Sequence, residues 1–115
     1  MNMKVNINLP NQHYQPGQII KGQCDWDMES RKRPKYIRIL LKVWNEGTHP
    51  QTIVVAETIN LKPETSKGIV DFEFKLPLYP FSYQGKNFNI CWGIQGEMGN
   101  DVFHCQTFNL GSAVS

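Results

Sequence analysis

The chain has 115 residues, 40% hydrophobic and 19% charged, with a formal net charge of +2. That size and composition point to one globular domain over residues 1–115, able to bury roughly two thirds of its unfolded-chain surface without metal or disulfide staples, and they mark a globular chain, not a disordered one. The charge is too small to imply a polyanionic partner, no run of about 18 apolar residues offers a membrane span, and the start MNMKVNINLP alternates where a secretory signal would hold an apolar block, so the expected compartment is the cytoplasm.

Period two dominates the chain. Successive side chains of a strand point to opposite faces, so each alternating apolar set marks one buried face. Met3, Val5, Ile7 and Leu9 alternate with Lys4, Asn6 and Asn8, which predicts a first strand near 2–9. After PNQHYQPG a second strand, near 18–27, carries Ile20, Cys24 and Trp26 on one face. Pro16-Gly17 predicts a tight turn into it, and Gly22 within it predicts a bulge or a close backbone approach. The linker MESRKRPK leads to a third strand near 36–45, with Ile37, Ile39, Leu41 and Val43 inward. A fourth, TIVVAETINL near 52–61, alternates weakly. In the fifth, near 68–76, Val70, Phe72, Phe74 and Leu76 point inward, and Pro77 ends it because proline cannot donate to a ladder. The sixth, near 87–97, turns Phe88, Ile90, Trp92 and Ile94 inward and follows Gly85, a predicted positive-φ turn. Tyr83 before it is expected to plug one end of the core. The seventh is DVFHCQTFNL, near 102–110. No window shows a helical period. The fold class is therefore all-β: an immunoglobulin-like, two-sheet antiparallel sandwich of about seven strands.

Cys24, Trp44 and Cys91 fall in the order of the disulfide and tryptophan of a true immunoglobulin domain. Their phases disagree with it. Cys24 points inward, whereas Cys91 is out of phase with Ile90 and Trp92, and Trp44 with Leu41 and Val43. Free thiols are expected, although Cys91 and Cys105 sit on consecutive strands and stay open as neighbours.

Two segments carry a more specific pattern. The first is YQPGQIIKGQCDW, with Tyr14, Pro16, Gly17, Ile20 and Gly22. The second is FEFKLPLYPFSYQGKNFNICWGI, with Phe72, Phe74, Leu76, Pro77, Pro80, Ser82, Tyr83, Gly85, Ile90, Trp92 and Ile94. Together they resemble the N-terminal half of arrestin-fold proteins: arrestins, arrestin-domain-containing adaptors, the arrestin-like retromer subunit and the bacterial sporulation-control family. The Pro-Gly entry, the Leu-Pro strand end, Pro-x-Ser-Tyr-x-Gly and the aromatic-centred strand occur in that order, and the likeness spans roughly residues 3 to 110. It implies an arrestin-like sandwich and a non-catalytic scaffold or adaptor, with no cofactor, acting through strand edges and loops. The chain departs from arrestins in having room for one such domain, in lacking the long receptor-engaging loops, and in holding only Lys4 in the first strand, with no adjacent Lys. Receptor-phosphate sensing is therefore not implied.

Residues for chemistry are sparse. His13, His49 and His104 lie in three different segments, and adjacent His104 and Cys105 face opposite sides, so no metal site is expected. No nucleophile motif is present. Ser82 sits between aromatics with no base nearby in sequence, and Asp25 and Asp27 read as solvated charges on a strand rim, so no catalytic residue is expected. The strongest charged feature is SRKRPK, with Arg31, Lys32, Arg33 and Lys35; Arg38 and Lys42 extend it along an outward face, and Asp27 and Glu29 partly offset it. Such a cluster suits a phosphate, an acidic peptide or an anionic membrane surface. The interleaved aromatics of a nucleic-acid platform are missing. Apolar Leu40, Trp44, Val54 and Ala56 fall on outward phases, and pairing of 36–45 with 52–61 would join them in a patch suited to a homodimer or an edge-strand peptide. A one-residue register slip would bury them instead. The candidate binding residues are thus Arg31, Lys32, Arg33, Lys35, Arg38, Leu40 and Trp44. Three functions compete: a protein-binding module, a self-assembling structural protein, and a small-ligand carrier or enzyme with a pocket inside the sandwich.

Overall fold

The computed structural model describes residues 3–29, 33–47, 51–99 and 102–111. All seven predicted strands are present, each ending within two residues of its predicted bounds: β1 (Lys4–Asn8), β3 (Ile19–Asp27), β4 (Ile37–Glu46), β5 (Ile53–Leu61), β6 (Lys67–Lys75), β8 (Asn89–Met98) and β9 (Val102–Leu110). Two strands of two residues join them, β2 (His13–Tyr14) and β7 (Tyr83–Gln84), too short to leave an alternation in the sequence. A three-stranded sheet, β1-β3-β6, packs on a six-stranded one that runs β2-β9-β8-β4-β5, with β7 added to β8. Every long pairing is antiparallel. The exception to the antiparallel expectation is β2, which lies parallel to β9 through His13↔Asn109 and Tyr14↔Leu110. Tyr14 holds it there: its ring is buried and meets Phe108 edge-on at 5.6 Å and 84°.

The core lies between the sheets. Ile7, Ile20, Cys24, Phe72, Phe74 and Leu76 come from the small sheet or its ends, and Ile37, Ile39, Leu41, Trp92, Ile94 and Leu110 from the large one. Each fully buried aliphatic side chain contributes about 1.5–3 kcal/mol relative to exposure. Two glycines show how tightly the layers meet. A side chain at Gly22 would lie 2.7 Å from the Phe72 ring and 2.8 Å from the Asn8 carbonyl, which is the close approach read from the sequence. Gly85 departs from its expected positive φ; positive-φ glycines are Gly17, Gly47 and Gly99. Gly85 instead leaves room for the Tyr83 ring, 2.4 Å from where a Cβ would stand. Nor does Tyr83 plug the core: it is exposed and stacks on Phe88, itself less buried than expected, at 5.0 Å. The crossing before β8 is tied down by other groups. Trp92 Nε1 donates to the Pro80 carbonyl at 2.8 Å, and the Leu110 N–H donates to Ser82 Oγ at 2.8 Å.

The two sheets are unequal, and the two sides of the sandwich differ. On one side β1 packs over β8 and β9. Its outer edge is closed by side chains of β9: the Ile7 N–H donates to His104 Nδ1 at 3.0 Å, and the Leu9 N–H to Gln106 Oε1 at 3.3 Å. On the other side β5 extends past the small sheet. Residues 53–58 are exposed whichever face they occupy, and among the described residues neither β5 nor β6 has a partner strand on its outer edge.

Candidate functional site

The open side holds a groove of about 920 Å³ that runs past the free edge of β6, from Asn8, Leu9, Pro10, Lys21, Gly22 and Gln23 at the end of β1 and on β3 to the inner face of the large sheet. Ile39, Ile59 and Leu61 form its floor, Val70 and Phe72 its wall, and Asp71 and Glu73 its lip. This lies within the range of about 300–1,000 Å³ of ligand sites.

The hydrogen-bond phase of β6 follows from its two ends. The Met28 N–H donates to the Ser66 carbonyl at 2.9 Å, and the Leu76 N–H to the Gln18 carbonyl at 2.9 Å. Register is unbroken between them, from Trp26↔Gly68 to Ile20↔Phe74. Antiparallel ladders alternate bonded and non-bonded pairs. Gly68, Val70, Phe72 and Phe74 therefore turn their main-chain groups to β3, and Ile69, Asp71 and Glu73 turn theirs to the open edge.

The predicted binding residues lie elsewhere, on the outer face of the large sheet and the linker into β4. Arg31 and Lys32 lie outside the described residues. Arg33 and Lys35 are exposed. Arg38 is engaged within the sheet: its Nη2 lies 3.1 Å from Glu97 Oε2, and its guanidinium sits 5.0 Å from the Tyr36 ring centre. Lys42 Nζ donates to Gln95 Oε1 at 3.0 Å, and Gln95 Nε2 to Glu97 Oε1 at 2.9 Å. Of these contacts Arg38–Glu97 is the ion pair; half-exposed, it contributes about 0.2–1 kcal/mol and offsets one charge that the sequence leaves looking free.

The apolar patch differs from its expected form. Leu40 faces outward but is covered, at 8% exposure. Trp44 is half-buried, its ring against Gly93, where a Cβ would meet Trp44 Cη2 and Cys105 Sγ at 2.9 Å each. A bulge opposite Leu41 and Lys42 adds Ala56 to β5 and shifts the phase, so Val55 opposes Lys42 and Ile53 opposes Trp44. Ile53 and Val55, not Val54 and Ala56, share the outer face with Trp44, at 55% and 47% exposure.

A second, more polar cavity of about 510 Å³ opens beside Trp44, Glu46, Tyr83, Cys91 and Asn109. Glu46 accepts from Trp44 Nε1 and from Cys91 Sγ, each at 3.4 Å. All three cysteines are free. Burial, then the Asp25 charge, pushes the Cys24 thiol up to about 11. Burial, then the hydrogen bond and charge of Glu46, pushes Cys91 up to about 11. Burial also raises Cys105, against the opposing charge of Lys42. Asp25 accepts from Asn6 and Asn8 Nδ2 at 3.2 and 3.0 Å, and Asp27 from the Glu29 N–H at 2.8 Å, so the two carboxylates have separate partners. Among the described residues no group of three or more His, Cys, Asp or Glu is arranged to hold a metal ion, and no helix is long and apolar enough to cross a membrane.

No protein-family model and no curated protein sequence matches the chain. Solved structures do. The sporulation control protein Spo0M from Bacillus subtilis superposes with a TM-score of 0.67 at 16% identity, over 96% of this chain and 49% of that one. Superoxide reductase (neelaredoxin) from Ignicoccus hospitalis superposes with a TM-score of 0.53 at 12% identity, over 94% of this chain and 80% of that one, and a single-residue variant of the same reductase with 0.52. The chain spans about half the length of Spo0M. At such identities the likeness is one of fold, which does not carry function with it: the chain shares the two-sheet sandwich fold of Spo0M.

Proposed function

We propose that residues 1–115 form one arrestin-like domain that works in the cytoplasm as a non-catalytic protein-binding module. The observation that carries this reading is the open side of the sandwich, where β5 and β6 both present edges unpaired among the described residues, beside a groove with an apolar floor. Recognition by strand edges needs such groups and no catalytic constellation. The linker with Arg31, Lys32, Arg33 and Lys35 supplies a second, electrostatic contact for an anionic peptide or phosphate. A self-assembling role is the second reading, favoured by Ile53, Val54 and Val55, which expose apolar side chains on both faces of an edge strand.

Affinity capture from the source cell tests both, with wild type, R31E/K32E/R33E and I53K/V55K, alongside light scattering of each across concentration. The module reading expects a monomer and a distinct partner, lost with at least one variant. A concentration-dependent dimer that I53K/V55K abolishes, with no other protein captured, would establish self-assembly instead. Equal recovery of the partner by wild type and R31E/K32E/R33E would remove the basic linker from the site.

A further inference from the structure

We infer that the free edge of β6 accepts a strand from a partner protein, specifically an extended segment with a basic residue flanked on both sides by large apolar ones. This deepens the binding-module reading and rests on it. Three observations converge on one side of the molecule. The first is the main chain: Ile69, Asp71 and Glu73 direct their N–H and C=O groups away from β3, and no described residue pairs with them. The opposite edge of the same sheet is treated differently, since His104 accepts the Ile7 N–H of β1 and Gln106 the Leu9 N–H just after it. One edge is closed and the other left open.

The second is the floor beside that edge. A fourth strand added to β6 would lie over β5, where the small sheet stops short. Its inward side chains would meet Ile59 and Leu61, next to Val70 and Phe72. Side chains alternate along a strand, so these inward positions are every second residue and call for apolar groups. The third is charge. On the outward face the residues nearest the newcomer are Ile69, Asp71 and Glu73. Glu73 lies across from Lys21. Asp71 accepts from Gln23 Nε2 at 3.0 Å, a neutral donor, so its charge meets no described cation. A Lys or Arg directly opposite Asp71 completes the cross-strand pair. A second copy of this chain fits less well at full overlap: pairing two β6 strands about Asp71 would set the two Asp71 side chains together, and pairing about Phe72 would set Asp71 against Glu73 of the other copy. Only a shifted pairing about Ile69, confined to residues 67–71, would set Asp71 against Lys67, whose Nζ already lies 3.9 Å from Asp27 Oδ2.

The test is a short synthetic peptide of Thr, Leu and Lys, with Lys at its centre and Leu on either side. A matched peptide carries Glu for Lys. Titration is followed by residue-resolved amide exchange and by the thermal midpoint, which a ligand of the folded state raises. Wild type should bind the Lys peptide about tenfold more tightly than the Glu peptide, with slowed exchange at Ile69, Asp71 and Glu73. Asp71→Pro removes one open N–H while leaving the β3 ladder intact, because that N–H faces outward, and should abolish the effect. Asp71→Lys keeps the N–H and should reverse the charge preference, which guards against D71P merely failing to fold. The proposal is overturned if neither peptide slows exchange at the three amides, if D71P binds as wild type does, or if the edge is filled by a second copy that D71P disperses. A natural partner captured equally by wild type, D71P and D71K would overturn this edge while leaving the binding-module reading standing.

Discussion

At the scale of single residues, Glu46 sets the chemistry of its neighbourhood. It is exposed, yet it accepts from both Trp44 Nε1 and Cys91 Sγ, and after burial it is the next cause holding the Cys91 thiol at about 11. Glu46→Gln keeps the shape and removes the charge. The Cys91 pKa should then fall toward its ordinary 9.0, and because the thiolate is the nucleophile, alkylation at mildly alkaline pH should quicken. Peptide-resolved iodoacetamide rates as a function of pH measure this directly; an unchanged profile would assign the whole shift to burial. The sign for stability follows from linkage. The folded state holds the Cys91 proton more tightly than the unfolded chain. Its contribution is complete below about 9 and disappears as pH climbs through about 11. Unfolding midpoints of wild type and Cys91→Ser should therefore converge across that window. The phases of Cys24, Cys91 and Trp44 are legible from alternation alone, which is why free thiols are expected. What half-buries Trp44 is not legible: Gly93 and Cys105 lie far away in sequence and come beside it only through the register of β4, β8 and β9.

At the scale of elements, the weakest alternations have physical causes. The sequence DVFHCQTFNL reads poorly because His104 and Gln106, on the inward phase of β9, are polar. In the structure they are the groups that accept from the edge of β1. They exchange apolar packing for a closed sheet edge, which protects against pairing with other chains. Replacing both by Ala should cost about 1 kcal/mol for each lost hydrogen bond, and more if the freed N–H stays buried. Urea unfolding of His104→Ala, Gln106→Ala and the double variant checks this, and a loss confined to the noise in all three would show that β1 needs no such closure. TIVVAETINL is ambiguous for another reason. Ala56 is an extra residue at a bulge, so no single phase describes β5. A reading by strict alternation selects Val54 and Ala56, whereas the folded strand presents Ile53 and Val55 beside Trp44. Single residues of that kind are set by the partner strand, not by local pattern.

At the scale of the whole molecule, strand number decides where function can reside. The repeated apolar alternation makes a sandwich legible, and the Pro-Gly entry and the Leu-Pro strand end add to it a resemblance whose fold is the one shared with Spo0M. The unequal widths of the sheets depend on which strands pair, and alternation carries no record of that. Hence the sequence directs attention to the charged linker and the outer face, while a groove of about 920 Å³ opens on the side of β5 and β6. This asymmetry has a dynamic consequence that is independent of any ligand. Amide protection requires a hydrogen bond that must open before exchange. In the isolated protein Val70 and Phe72 should be protected, and Ile69, Asp71 and Glu73 should exchange fast, giving a period-two pattern along β6. Ile7 should be protected although it lies on an edge strand, because His104 accepts its N–H. Along the two edges of one three-stranded sheet, exchange should therefore be slow at Ile7 and Leu9 and fast at the outer N–H groups of β6. Residue-resolved exchange measured by NMR at neutral pH reads all of these amides in one experiment. Uniform protection across residues 69–73 would mean that the open edge is already occupied, and equal exchange on both edges would remove the division into a closed and an open side.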